Sequence, residues 1–282
     1  MVMLRLLSYL PLWFLYRVSD VLFVLAYYVV KYRRTVVFHN LRNSFPEKDV
    51  ATLRNIERTF YRSLCDYGVE TLKLLTLPRQ ELEERVRFSN LEVIGADTNH
   101  AIFLASHQFN WEWLLVRGSF SFHIPVDFVY QQQSSGLFNS FSLACRTRFG
   151  AYPIVRRQVA REAIKRKDLP HIIAIVADQF PSSKTDKRYW TIFLRQDTAF
   201  FQGISQLASL TQYPVYYLQM RKIKRGYYEA TLERIATPPY EKDAPGLVEA
   251  YARATERIIH QYPHDWLWSH KRWKRTRQEM GE

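Results

Sequence analysis

The sequence predicts an α/β fold, with a mixed central sheet flanked by helices and an N-terminal hydrophobic anchor helix region in front of it. Two observations predict this. From about Arg87 onward, short β-rich runs alternate with stretches of helical periodicity, which is typical of a sheet with helices on its faces. Before that point, two uncharged hydrophobic runs lie at the N-terminus. The 282 residues are 47% hydrophobic and include only 9 glycines, which excludes disordered and collagen-like proteins.

The N-terminal region contains "LLSYLPLWFLY" (Leu6 to Tyr16) and "VLFVLAYYVV" (Val21 to Val30), separated by "RVSD". Neither run has the roughly 18 to 20 apolar residues that cross a bilayer as a straight helix. Joining them would place Arg17 and Asp20 in the hydrocarbon. No small-residue cleavage site follows. We predict a retained membrane anchor over residues 1–31, either two short helices in the interface or one imperfect crossing. The alternative is an aromatic-rich helix packed on a soluble core.

Residues 32–85 are predicted to form a basic helical segment. Asp49 is a plausible N-cap, and apolar residues then recur at steps of three and four residues as far as Tyr67. We expect this helix to reach Leu75, and Pro78 to end the region.

Residues 86–282 are predicted to form the α/β domain. The predicted strands are Phe88–Ile94, Ala101–Ser106, Val126–Tyr130, His171–Ala177, Trp190–Leu194, Val215–Met220 and Tyr228–Arg234. The predicted helices lie near Asn110–Phe120, Leu137–Phe149, Val159–Lys167, Gly203–Gln212 and Leu247–Gln261. The chain has neither the dinucleotide-binding nor the P-loop pattern of glycines.

Charge and cysteine content restrict the partners and the compartment. The formal net charge of +13 favours a negatively charged partner, which could be nucleic acid, an anionic membrane surface or an acidic substrate. The only two cysteines, Cys65 and Cys145, do not make a disulfide framework or a zinc knuckle pair. We expect two inert thiols in a reducing compartment.

The stretch "ASHQFNWEWLL" contains the candidate catalytic residues. "AIFLAS" ends as a strand and "NWEWLL" begins a helix, so His107 lies at the carboxyl edge of a strand, where open α/β sheets place their sites. The break lets Glu112 fold back onto the imidazole, fix its tautomer and make the other ring nitrogen a general base. The alternatives are a core histidine with a solvated glutamate, or a metal site, although no His-Glu-x-x-His pattern is present.

With these features, the sequence resembles the late acyltransferases of lipid A biosynthesis, the lauroyl/myristoyl transferases. The resemblance covers nearly the whole chain. The motifs that carry it are "YRRTVVFHNLRNSFPEK", "HQFNWEW", "RTRFGA", "VADQF" and "YPHDWLWSHKRWK". The wording around Asn110 is most similar to the Bacteroidetes branch. The stretches "QFPSSKTDKRYWTIFL" and "RQDTAFFQGISQL" depart from the family's glycine-rich and threonine-rich segments, so acyl chain length and acceptor identity stay open.

The resemblance implies a glycerolipid-acyltransferase-like fold and an O-acyltransferase of the cytoplasmic face of the inner membrane. It implies transfer of a fatty acyl chain from acyl carrier protein to a hydroxyl of an anionic lipid A precursor, without cofactor, metal or nucleic acid. The catalytic residues would be His107 and Glu112. Arg146 and Arg148 would bind substrate phosphate, and Asn110 and Asp178 would also belong to the substrate-binding site. Either Arg148 or the backbone amides at the Asn110 helix start would bind the oxyanion.

The resemblance leaves alternatives for the role of Asp178 and for the acceptor. Asp178 either orients Arg148 in the substrate-binding site or is a structural strand-end carboxylate. Trp266, Trp268 and Trp273 interleave with basic residues as in an interfacial surface. The acceptor could instead be another hydroxylated lipid, such as an aminolipid or glycolipid. A membrane-associated nucleic-acid-binding protein is the reading from a different class, and no known nucleic-acid module supports it.

Overall fold

The computed structural model describes residues 1–183 and 185–281. Two residues lie outside the described ones. They are Lys184, in the stretch "QFPSSKTDKRYWTIFL" that differs from the family pattern, and Glu282, at the end of the predicted α/β domain.

Five helices precede the sheet. They are α1 (Val2–Ser8), α2 (Leu12–Val24), α3 (Arg34–Ser44), α4 (Val50–Lys73) and α5 (Arg79–Arg85). The predicted N-cap of α4 is confirmed, because the Asp49 carboxylate accepts a 2.7 Å hydrogen bond from the Thr52 amide. The helix ends at Lys73, two residues before the predicted end at Leu75.

The predicted mixed sheet is confirmed. The strands are β1 (Val86–Phe88), β2 (His100–Ala105), β3 (Val126–Tyr130), β4 (Tyr152–Val155), β5 (His171–Val176), β6 (Arg188–Phe193), β7 (Gln196–Phe201), β8 (Val215–Lys224) and β9 (Tyr227–Ala236). Among the described residues, seven strands form one sheet in the order β1-β9-β8-β2-β5-β3-β4, and β8 pairs antiparallel with β9 while the other pairs are parallel. A separate antiparallel hairpin consists of β6 and β7.

The five predicted helices of this region are α6 (Trp111–Gly118), α7 (Gly136–Arg146), α8 (Val159–Lys165), α9 (Gly203–Thr211) and α10 (Pro245–Gln261). Two strands were not predicted. β4 contains Pro153, which an edge strand tolerates, and β7 begins with polar residues. The first predicted strand, Phe88–Ile94, is wrong except for its first residue, because β1 already ends at Phe88 and a 3₁₀ turn over Leu91–Val93 follows it.

The two faces of the sheet cover separate hydrophobic cores, because alternate residues of a strand point to opposite sides. On one face, Phe103 of β2 packs in the cluster that contains Trp113 of α6. On the other face, Ile102 and Leu104 pack in the cluster that contains Tyr251 of α10. The helices α6 and α10 therefore cover opposite faces.

The two N-terminal hydrophobic runs share one continuous helix, although the sequence suggested that "RVSD" separates them. Among the described residues, one helix, Leu12–Val29, is long and apolar enough to cross a membrane by length and composition. It includes α2 and the π-helical turn Leu25–Val29, so "RVSD" does not interrupt it. The charge of Asp20 pairs with Arg225, at 2.8 Å between side-chain atoms. The polar interruption is tolerated because it lies beside the folded domain.

The C-terminal tryptophans do not form the predicted interfacial surface. Trp266 and Trp268 are buried in the core cluster on the α10 face, and Trp273 packs partly buried against it. Arg272, one of the basic residues that interleave with these tryptophans in the sequence, is also buried, and its guanidinium donates to the Ala199 carbonyl at 2.6 Å. The charge pattern suggested a surface because sequence spacing does not show where an irregular segment enters the core.

Candidate active site

His107 and Asp178 meet at the carboxyl edge of the sheet. The strands β2 and β5 are parallel neighbours, with Ala105 opposite Val176, and each of the two site residues lies two positions beyond that pair. The imidazole Nδ1 is 2.5 Å from Asp178 Oδ1, and the His107 amide donates to Oδ2 at 2.9 Å. Two equal overhangs on adjacent parallel strands therefore bring the side chains together.

The charge on Asp178 selects the tautomer of the His107 imidazole. Burial raises the pKa of the Asp178 carboxyl, but the contacts with His107 and Trp266 outweigh burial and hold that pKa at about 2. An ionised Asp178 accepts a hydrogen bond from Nδ1–H, so Nε2 carries the lone pair. The side-chain amide of Gln179 lies 3.2 Å from Nε2 as its donor. The imidazole is thus arranged to accept a proton at Nε2.

The predicted contact between Glu112 and His107 is corrected by this geometry. The Glu112 carboxylate instead accepts hydrogen bonds from Arg146, at 2.8 and 2.5 Å, and from the Trp111 indole at 3.2 Å. Burial raises the Glu112 pKa, but Arg146 and these hydrogen bonds lower it below its usual range. Asp178 occupies the position beside Nδ1, because β5 brings it there. The spacing of residues within the His107 motif does not reveal this contact.

Asn110 is a helix cap and not an open binding residue. Its side-chain oxygen accepts hydrogen bonds from the amides of Glu112 and Trp113, and its side-chain nitrogen donates to Glu70 at 2.9 Å. The residue is fully buried. Two of the backbone amides proposed for the oxyanion therefore already have a partner, because the N-cap satisfies them.

The two arginines of "RTRFGA" have different surroundings. Arg146, at the end of α7, reaches the cleft described below and pairs with Glu112. Arg148 donates to the carbonyls of Leu74, at 2.8 Å, and Leu77, beyond the end of α4. Of the two roles considered for Asp178, the orientation of Arg148 is not found, because Asp178 bonds to His107 and Trp266 while Arg148 donates to the carbonyls of Leu74 and Leu77.

The C-terminal motif holds the His107 loop in place. The Phe109 amide donates to the Asp265 carbonyl at 3.0 Å, and the Leu267 amide donates to the His107 carbonyl at 3.1 Å. The Trp266 indole donates to Asp178 Oδ2 at 2.7 Å. Sequence reasoning missed this role for Trp266, because the contact joins segments that are 88 residues apart in sequence.

A cleft of about 1050 Å³ opens at this edge of the sheet, and His107, Gln179 and Arg146 line it. It extends over both faces of the sheet. On the α9 side, its lining includes the charged residues Arg156, Arg157, Asp186, Lys187 and Lys274. No cluster of three metal-ligating side chains occurs among the described residues. The site thus combines the His107 imidazole, an arginine paired with Glu112 and a cleft wall that is mostly basic.

A family comparison shows what kind of protein carries this site. The family model described as "Bacterial lipid A biosynthesis acyltransferase" matches residues 1–275. The chain belongs to this family of lipid A acyltransferases. The match includes the His107 loop, Asp178 and most of the C-terminal segment that clamps them.

Two further comparisons add less about this member of the family. No curated protein matches the chain. The crystal structure of the 1-acyl-sn-glycerophosphate (LPA) acyltransferase PlsC from Thermotoga maritima is similar over 92% of this chain and 96% of that chain, with 17% identity and a TM-score of 0.38.

Proposed function

We propose that this protein transfers a fatty acyl chain from an acyl carrier protein thioester to a hydroxyl of a lipid A precursor. The observation that carries this proposal is the imidazole of His107, with Asp178 on Nδ1 and with Nε2 directed into the cleft. The family match supports the acyltransferase class. The donor and the acceptor are our proposals.

In the proposed mechanism, Nε2 of His107 takes the proton from the acceptor hydroxyl as its oxygen attacks the thioester carbonyl. The attack forms a tetrahedral oxyanion, which collapses with loss of the carrier thiolate. The imidazolium that forms is stabilised by the ionised Asp178, and it can return the proton to the leaving thiolate. The Gln179 amide, 3.2 Å from Nε2, would be displaced by the incoming hydroxyl.

Arg146 is our candidate for the group that stabilises the oxyanion or an acceptor phosphate, because it reaches the cleft from beside Glu112. A guanidinium suits both tasks, since it presents several donors in a fixed plane. Its charge is partly neutralised by Glu112, which limits its attraction for anions in the absence of substrate. We propose that Arg157 and Lys274, on the opposite side of the cleft, bind further phosphate groups.

We further propose that the N-terminal helices lie in the plane of the membrane at its cytoplasmic face. The inner side of α2 is bonded to α4 along its length. Tyr16 donates to Glu70 at 2.8 Å, and Ser19 donates to Asp66 at 2.7 Å. A crossing orientation of α2 would pull these charged residues of α4 to hydrocarbon depth, which is costly.

The outward side of the same helix is apolar. Trp13, Val21 and Val29 are 68%, 60% and 65% exposed. A helix with one face bonded to the domain and one apolar face outward is typical of a monotopic anchor. We expect Val21→Glu, with Trp13→Glu as a second variant, to release the protein from membranes into the soluble fraction without loss of fold. A protein that stays in the membrane pellet with both substitutions would favour a crossing helix.

The proposed function is tested with purified enzyme, a panel of acyl carrier protein thioesters and a purified lipid A precursor. We expect a product that is heavier by one acyl chain, and His107→Ala should lower the rate by roughly 10²- to 10⁴-fold, the usual contribution of a positioned general base. The far-ultraviolet circular dichroism spectrum of His107→Ala should be unchanged. Transfer to aminolipids or glycolipids, with none to the lipid A precursor, would reject the proposed acceptor. The proposal that the protein is an acyltransferase would still hold. Full activity of His107→Ala would overturn the mechanism.

A further inference from the structure

The cleft has two halves, one on each face of the sheet, and most of its charged residues lie in one of them. The half between the sheet and α6 is lined by Phe103, Ala105, Leu114, Leu115, Phe128, Ala174 and Leu218. These residues are all apolar. The half on the α9 side adds charged residues to apolar ones such as Ile204 and Leu207, and it contains Arg157 and Lys274, which we assign to acceptor phosphates. Arg146 lies on the α6 side, where it pairs with Glu112. The two halves meet at His107, at the carboxyl edge of β2.

Strand register shows the shape of the apolar half. In the row next to the edge, Ala105 of β2 lies between Leu218 of β8 and Val176 of β5. In the next row, two residues and about 6.6 Å deeper, Ala174 of β5 lies between Phe103 of β2 and Phe128 of β3. Ala174 is therefore a small residue between two large aromatic ones.

This gap is where the apolar half is deepest. Ala174 is partly accessible, whereas Phe103 and Phe128 are each only 2% exposed. Ile172, the next residue of β5 on the same face, is fully buried and closes the floor below. A larger side chain at position 174 would fill the space between the two phenylalanines.

We infer that the fatty acyl chain of the donor lies in this apolar half, and that Ala174 sets the length of the chain that the enzyme accepts. The inference rests on the proposed acyl transfer. An extended alkyl chain gains free energy in proportion to the apolar surface that it buries, and it has no polar group to pair with the charged half. The thioester carbonyl of a chain seated there lies at the sheet edge beside His107. The acceptor then approaches from the α9 side.

The inference is tested by comparing chain-length profiles of the full-length enzyme. The profile is kcat/KM for thioesters of increasing acyl length. Ala174→Leu should move the optimum to shorter chains, with a relative loss of about 10-fold or more for the longest substrate, because a pocket discriminates by roughly that factor per methylene. Ala174→Gly should move the optimum the other way.

Gly203→Leu is the matched control. Gly203 lines the cleft on the α9 side, and a Cβ added there would meet no atom within 4 Å. This substitution adds a leucine side chain to the opposite half of the cleft. The optimal acyl chain length should therefore stay unchanged, even if the KM for the acceptor changes. An unchanged profile in folded Ala174→Leu and Ala174→Gly would overturn the inference, as would a shifted profile in Gly203→Leu.

A second measurement separates this inference from the proposed function. An acyl carrier protein thioester with a photoreactive diazirine at the end of its acyl chain can be crosslinked to the wild-type enzyme without an acceptor. We expect mass spectrometry to find crosslinks at Phe103, Phe128 or Leu218. Crosslinks at Ile204 or Leu207, on the α9 side, would place the chain in the other half and reject the inference. If the enzyme acylated no lipid, the proposed function would be rejected. The crosslinking experiment would still show in which half of the cleft the acyl chain binds.

Discussion

Asp178 and Glu112 are both buried carboxylates beside the same imidazole, and they have different partners. Asp178 is bonded to the His107 ring and to the Trp266 indole. Glu112 is bonded to Arg146 and to the Trp111 indole. Glu112 is five residues from His107 in the sequence and Asp178 is 71 residues away, yet the distant residue contacts the imidazole. Proximity in sequence did not identify the partner, because adjacent parallel strands bring their ends together regardless of the length of chain between them.

The largest expected effect distinguishes the two carboxylates in catalysis. Asp178→Asn should lower kcat by about 10²- to 10⁴-fold, because an amide donor facing Nδ1 favours the wrong tautomer and does not stabilise the imidazolium. Steady-state kinetics with saturating donor and acceptor measure this loss. Unchanged thermal unfolding would show that the loss is not structural. Wild-type kcat in a folded Asp178→Asn protein would leave Glu112 as the residue that orients His107.

Glu112→Gln should lower kcat less than Asp178→Asn does, because His107 keeps Asp178. It should lower the free energy of unfolding by about 3 kcal/mol, since Arg146 would be left as a largely buried charge without its partner. Denaturant unfolding measures the stability term. The double variant Glu112→Gln, Arg146→Gln should recover part of the stability, whereas a fully additive loss would mean that the pair is not coupled.

The arginine pair sharpens the same comparison. Arg146→Lys should lower kcat/KM with the lipid acceptor, because lysine keeps the charge and loses the planar donor set. Arg148→Lys should leave the kinetics of the folded enzyme unchanged and lower its stability by about 1–3 kcal/mol, because the carbonyls at the end of α4 lose a donor. Steady-state kinetics and thermal unfolding are measured for both variants, Arg146→Lys and Arg148→Lys. A loss of kcat/KM in Arg148→Lys, with unchanged kinetics in Arg146→Lys, would instead indicate that Arg148 binds the substrate.

The smallest effect is the pH dependence of stability. The folded pKa of Asp178, about 2, lies below its ordinary value of 3.8, so the stabilisation from its ionised form is fully present above pH 4. It is lost as the pH falls from about 4 through 2, because protonation weakens the contact with His107. The free energy of unfolding of the wild type should decrease more steeply over this interval than that of Asp178→Asn. Equal slopes would show that the carboxyl is not stabilised in its ionised form.

Local patterns predicted most of the elements and the position of His107. The turn after "AIFLAS" and the start of the helix at "NWEWLL" depend on residues within a few positions, so periodicity and composition are sufficient to identify them. The edge strand β4 and the hairpin strand β7 escaped prediction, because a proline and a polar start hide their alternation.

The sequence by itself determined the α/β class, the apolar N-terminus and an imidazole at the end of a strand, because these follow from short-range propensity and hydrophobic pattern. Only the tertiary structure decided which carboxylate reaches that imidazole, which arginine faces the cleft and where the C-terminal tryptophans lie. Those outcomes depend on strand order and on packing between residues that are far apart in the chain. The adjacency of β2 and β5 puts Asp178 beside His107, and the burial of Trp266 beneath that pair converts a basic, aromatic tail into part of the site.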